Sequence, residues 1–211
     1  MKKYLLLSVF FIVLSTSCKK DKIELEATPV YLPLELGNYW IYQNYKVDTI
    51  GNETAMQTYD STVITRDTII RNQTYQIYKT YTLCCSNIKK IEILRDSADC
   101  IINNKGKLVF VRNDFNHVFR TYPIIVNGSD TLGNIQYQMK KINGSVTVPA
   151  GSFENVLCVE GKINVNPNTH LPPNRTIEQK YAPEVGRIYE SWYFLSSPIK
   201  YERRLVRYHI N

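Results

Sequence analysis

From Leu36 onward the chain is built almost wholly of short runs of β-branched and aromatic residues, each closed by a turn signal. YWIYQNYKV puts Tyr39, Ile41, Tyr45 and Val47 on one side of a strand, with Gln43 the exception there. Trp40, Tyr42, Asn44 and Lys46 take the other side, because successive strand side chains point to opposite faces. STVITRDTII and TYQIYKTYTL follow, parted by Arg71-Asn72-Gln73, and then IKKIEIL, CIINN and LVFV. HVFRTYPIIV runs into Asn127-Gly128 and IQYQMKKI into Asn143-Gly144, pairs that accept the positive φ angles of a two-residue hairpin turn. SVTV and FENVLCVEGKINV flank Pro149-Ala150-Gly151, and TIEQKYA, GRIYESWYF and IKYERRLVRYH complete the series. The one long irregular stretch is NPNTHLPPNR, residues 166–175. No window carries the period of an amphipathic helix. The pattern predicts an all-β domain of roughly ten to twelve strands in antiparallel meanders. Large aromatics on both faces of several strands predict a sheet curved enough to enclose a core or to present a concave apolar surface.

Composition supports a folded domain. Of 211 residues, 44% are hydrophobic and 21% charged, enough apolar material for a core. The 16 tyrosines, with abundant Thr, Ile and Val, suit a pleated surface. The formal net charge of +7 becomes +5 without Lys2 and Lys3. Basic residues are scattered except in KYERRLVRYH, so no nucleic-acid partner is expected.

The first seventeen residues read as an export signal. Lys2 and Lys3 give the positive start, and Leu5 to Leu14 form an apolar run of ten, broken only by Ser8. That is too short for a ~30 Å hydrocarbon core, which needs roughly 20 residues. LSTSCKK then brings small residues up to Cys18. Apolar run, small residues and cysteine together resemble the lipobox of bacterial lipoproteins, although Ser15 stands where that family prefers Leu, Val or Ile. The resemblance implies cleavage before Cys18 and acylation of its thiol and new amine with palmitate-type chains. Several chains at ~0.8 kcal/mol per buried methylene hold a protein stably on a membrane. The expected organisation is a signal peptide at 1–17, a lipidated N-terminus and flexible tether at 18–33, and a single β-rich domain at 34–211. The expected location is the bacterial cell envelope, at the outer membrane, with the face open.

Past Cys18 lie Cys84, Cys85, Cys100 and Cys158. An exported protein meets an oxidising compartment, so disulfides among the four are allowed. Their pairing is open, and free thiols or a metal site are the alternatives. Cys84 and Cys85 are neighbours and would point to opposite faces of a strand, toward different partners. Zinc sites ordinarily use paired C-x-x-C spacing, which the chain lacks, so no metal is expected.

Three stretches, LPLELGNYWIY, VPAGSFENVLCV and YAPEVGRIYE, resemble in their order the DUF3108-like, TapB-type group of exported bacterial β-rich proteins. The resemblance spans about residues 32–195. It implies an open half-barrel, similar to periplasmic lipoprotein carriers that hold acyl chains, and no enzyme activity. Within these motifs Gly37, Gly151 and Gly186 suit turns, and Trp40 and Trp192 read as core anchors.

His117, His170 and His209 are far apart in sequence, and no nucleophile elbow, P-loop or dinucleotide fingerprint occurs. No catalytic residue and no cofactor is expected. Asp followed by Thr or Ser recurs, at Thr49, Ser61, Thr68, Ser97 and Thr131, and resembles the O-glycosylation signal of exported proteins in one Gram-negative phylum. The same pairs are also common at turns and strand ends. The expected function is a membrane-anchored envelope lipoprotein with a binding or structural role, holding a lipid, a hydrophobic ligand or an envelope partner. A surface adhesion or assembly subunit and a carbohydrate-active envelope enzyme are the alternatives.

Overall fold

Most consecutive strands pair as hairpins and join into one strongly curved sheet, but the two strands that Asn143-Gly144 links pair with other strands. The structure, a computed structural model, describes residues 28–83, 87–126, 128, 130–173 and 175–211. Its strands are β1 (Tyr39–Val47), β2 (Glu53–Ile70), β3 (Gln73–Thr82), β4 (Asn87–Ser97), β5 (Cys100–Asn103), β6 (Leu108–Val111) and β7 (Val118–Val126). They continue with β8 (Asp130–Lys141), β9 (Val146–Val148), β10 (Gly151–Phe153), β11 (Leu157–Val165), β12 (Arg175–Ala182), β13 (Gly186–Tyr193) and β14 (Lys200–His209). Twelve strands pair antiparallel in the order β6-β5-β4-β3-β2-β1-β14-β13-β12-β11-β8-β7, and β9 and β10 form a separate hairpin.

The all-β, curved-meander expectation holds, and the sheet curls further than a half-barrel. Its edges meet: Arg120 of β7 donates to the carbonyl of Leu108 on β6 at 2.8 Å. Lys107, beside β6, lies 4.9 Å from the ring centroid of Tyr122 on β7. Across the interior, Phe110 of β6 meets Tyr181 of β12 edge-on, centroids 5.0 Å apart. The result is a nearly closed barrel.

Two local expectations shift. β2 begins at Glu53, eight residues before the apolar run at Ser61. The added segment is polar and mostly exposed, and it is held as strand by backbone pairing to Tyr45, Lys46 and Val47 of β1. Packing also begins before residue 34, because Tyr31 and Leu32 are buried in the core. Tyr31 donates to the carbonyl of Asn155 at 2.9 Å, and Tyr78 donates to that of Pro33 at 3.1 Å. This N-terminal strap closes one end of the barrel. Gly186, at φ +95°, makes its approach possible: a Cβ there would lie 3.3 Å from both Pro33 Cδ and Trp40 Nε1. The β9–β10 hairpin packs on the same end, with Val148 in the core and Ala150 N–H donating to the carbonyl of Leu205 at 2.9 Å.

Candidate functional site

The barrel interior is graded along its axis, and the strand register sets the gradient. Next to the strap, Trp40, Ile64, Tyr78, Leu94, Ile188 and Leu205 form an apolar plug. Two residues further along the same strands, on the same inward face, the side chains are charged: Glu92 on β4, Glu190 on β13 and Arg203 on β14. Cross-strand pairing makes them neighbours. Asn44 faces Arg203, Arg203 faces Glu190, and Glu190 faces Gln179. Thr62 faces Thr80, and Thr80 faces Lys90.

Arg187 is the hub. Its guanidinium lies 3.4 Å from Glu92 and 3.3 Å from Glu190, and its Nε donates to Tyr181 Oη at 3.2 Å. Tyr42 donates to the backbone carbonyl of Arg187 at 2.8 Å. Arg203 pairs with Glu190, and Gln179 donates to Glu190 at 2.9 Å. Lys90 reaches Glu92 at 3.1 Å and Glu190 at 3.8 Å, and Lys89 holds the fully buried Asp60 at 2.8 Å.

Burial works to raise the pKa of Glu92, but Arg187 and then Lys90 outweigh it and hold the carboxyl at about 2. Burial likewise opposes ionisation of Glu190, and Arg203, Lys90 and Arg187 hold it well below the usual carboxylate range. Burial keeps the phenols of Tyr42 and Tyr181 protonated. At neutral pH Glu92 and Glu190 are therefore ionised, and both are paired within the cluster. Such a cluster costs desolvation that an apolar filling would not.

Beyond this layer the barrel opens. A cavity of about 210 Å³ is floored by Arg203, Glu190 and Asp60, walled by Thr80 and Trp192, and edged by Lys89 and Lys90. Trp192 is half-buried and stacks on Tyr201 at 5.9 Å, so it is a cavity wall, unlike Trp40, which sits in the core. A larger groove of about 690 Å³ runs beside the strap, past Tyr31, Lys141 and Asn155, but no buried charge lines it. The smaller cavity is the candidate site because buried charges converge on it.

The residues singled out from sequence lie elsewhere. Cys18, Cys84 and Cys85 fall outside the described residues. Cys100 and Cys158 are free thiols, one half-buried on β5 and one buried on β11. Burial pushes the Cys158 thiol up to about 12, and it raises that of Cys100 as well. Cys158 sits on the face it shares with Glu160, Glu178 and Lys180, away from the barrel interior. Thr49 and Thr131 are exposed, at a turn and a strand start. Ser61, Thr68 and Ser97 are half-buried in strands, and the aspartate before Ser61 is the buried Asp60. Among the described residues no three His, Cys, Asp or Glu groups converge to hold a metal.

Sequence reasoning passed over the ionic cluster. A signal was present in strand phase: Glu92 shares a face with Leu94, Glu190 with Ile188, and Arg203 with Leu205. A charge in phase with core residues marks an inward-facing charge.

The three motif stretches meet at the plugged end. Trp40 of the first donates to the carbonyl of Val185 in the third at 2.6 Å, and Val148 and Leu157 of the second share the core with both. No family model matches the chain, the DUF3108-like group included, and no curated protein matches it. Two solved structures are similar in strand layout. One is a Bacteroides fragilis protein provisionally described as exported, with a YmcC-like fold; it is 12% identical, with a TM-score of 0.47 over 86% of this chain and 100% of its own. The other is a Parabacteroides distasonis protein provisionally described as a lipoprotein; it is 15% identical, with a TM-score of 0.46 over 87% of this chain and 100% of its own. At such identities neither likeness says what this chain does.

Proposed function

We propose that this chain is a lipid-anchored binding protein of the bacterial envelope, non-catalytic, acylated at Cys18 at the outer membrane. The observation that carries the reading is the polarity of the barrel. The strap at Tyr31 and Leu32 enters at the plugged end, and the charged cavity opens toward the other. A tether from Cys18 to Thr28 reaches at most roughly 35 Å. An anchor on that tether would hold the plugged end toward the membrane and leave the cavity facing away. The kinship with the DUF3108-like, TapB-type group belongs to this proposal, supported by the meeting of its three motif stretches.

An acyl chain or other apolar ligand is less well supported as the cargo. The apolar part of the interior is filled, with Ile64, Leu94, Phe110, Met139 and Leu205 all at 2% exposure or less. The open part is ionic, and a desolvated charge repels hydrocarbon.

Intact mass of the protein taken from membranes of its own host tests the anchor. A chain beginning at Cys18 and carrying acyl chains is expected, and Cys18→Ser should release the protein to the soluble fraction. A mature chain without acyl mass would overturn the anchored reading. Added hexose-scale mass would show glycosylation, for which Thr49 and Thr131 are the exposed candidates.

A further inference from the structure

We propose that the cavity at the open end is a binding site for a small organic oxyanion, a carboxylate or phosphate ester carrying a flat or ring-shaped body. This deepens the binding reading above and does not depend on the lipid anchor.

The first observation is a backbone irregularity. Lys89 and Lys90 are consecutive, and on a regular strand they would point to opposite faces. The β3–β4 register slips between Thr80 and Tyr81, where Thr80 pairs with Lys90 and Tyr81 with Ile88. This bulge leaves Lys89 without a register partner and turns it inward onto Asp60, so both lysines edge the same cavity. Bulges of this kind re-aim side chains at functional sites.

The second observation is charge and its placement. Lys89, Lys90, Arg187 and Arg203 face Asp60, Glu92 and Glu190, an excess of one cation. The lysine side chains are 46% and 41% exposed, whereas Asp60 is fully covered. Glu92 and Glu190 are 16% and 14% exposed, so a ligand entering the mouth meets two ammonium groups that stand out further than the carboxylates. Concave low-dielectric walls focus that field. On the floor, Arg203 is buried, and among the described residues neither its Nε nor Asn44 Oδ1 on the adjacent strand has a hydrogen-bond partner.

The third observation is Trp192, held flat against Tyr201 at an interplanar angle of 20°. It offers a rigid apolar wall beside the cations, as expected where an anion is attached to a planar or ring body.

The test uses the full chain in detergent, so it reads binding whether or not Cys18 is acylated. Tryptophan fluorescence and calorimetry follow titration with phenyl phosphate, benzoate, inorganic phosphate and benzyl alcohol. Saturable one-to-one binding is expected for phenyl phosphate or benzoate, and their ratio separates phosphate from carboxylate preference. Inorganic phosphate should bind more weakly, and benzyl alcohol not at all. Lys90→Gln should weaken binding roughly fivefold to tenfold. Glu92 and Glu190 keep Arg187 and Arg203 in that variant, so the fold is expected to persist. Trp192→Ala should erase the preference for phenyl phosphate over inorganic phosphate. Raising ionic strength from ~0.01 to ~0.15 M shortens the Debye length from ~30 to ~8 Å and should weaken wild-type binding, a readout that needs no variant. No saturable binding, equal binding of benzyl alcohol, or affinity indifferent to both salt and Lys90→Gln would overturn the proposal. Failure of the anchor would appear instead in the intact mass, with the titrations unaffected.

Discussion

Replacing Arg187 by Met removes the hub of the interior while keeping its bulk. Arg187 is 7% exposed and touches Glu92 at 3.4 Å, Glu190 at 3.3 Å and Tyr181 at 3.2 Å. Glu190 keeps Arg203 and Lys90, but among the described residues Glu92 keeps an ion pair with Lys90 alone, whose side chain is 41% exposed. Breaking a buried pair from one side costs about 3–5 kcal/mol, because the remaining charge is left uncompensated. With a urea m-value of roughly 2–3 kcal/mol per molar, the unfolding midpoint at pH 7 should fall by roughly 1–2.5 M.

The pH dependence supplies the sharper check. In the wild type the folded-state pKa of Glu92 is depressed to about 2. Its contribution to stability is therefore complete above the unfolded value of ~4.3 and lost as pH falls toward 2. In the variant only Lys90 and Arg203 offset the burial of Glu92, so its folded pKa is expected to rise above the unfolded one. Stability from that group is then full below ~4.3 and lost as pH rises through the folded value. The gap between the two proteins should accordingly widen from pH 4 to pH 7, with Glu190 contributing less to it because Arg203 and Lys90 still hold that carboxylate. Adding Glu92→Leu should close most of the gap, since removing both partners of a buried pair is near neutral. A gap constant across pH 4–7, or a double variant as unstable as the single one, would refute the ionised Glu92–Arg187 pair.

Three further outcomes follow from packing. Gly161→Ala would bring a Cβ to 2.8 Å from Ile177 Cγ1 and from Tyr137 Cε1; overpacking of about 1–3 kcal/mol should lower Tm by roughly 3–10 °C, and an unchanged melt would show that those side chains yield freely. Leu32→Ala should cost about 2–5 kcal/mol because Leu32 is part of the core, whereas a free tether there would leave the melting curve in place. Cys158, buried with its thiol at about 12, should resist alkylation in the native protein at pH 8 and react once urea exposes it; rapid native labelling at that position would contradict its burial.

Sequence alone determined the class of the fold and most of its punctuation. YWIYQNYKV is β1 residue for residue, Asn143-Gly144 and Pro149-Ala150 separate strands, and FENVLCVEGKINV divides between β10, which begins at Gly151, and β11. These features are local: alternation selects a strand, and a residue tolerant of positive φ selects a turn. Sequence did not decide which face of β1 turns inward, because both faces carry aromatics. Nor did it decide how far the sheet curls, since closure rests on contacts between Arg120 and Leu108 that depend on the accumulated twist of twelve strands. The N-terminal strap was missed because TPVYLP has no period of its own and is ordered only by the barrel end it covers. The ionic cluster needed tertiary structure most of all. Lys89, Arg187 and Arg203 look like ordinary surface charges until a bulge and cross-strand pairing bring them onto one buried floor, where burial and mutual charge decide their chemistry.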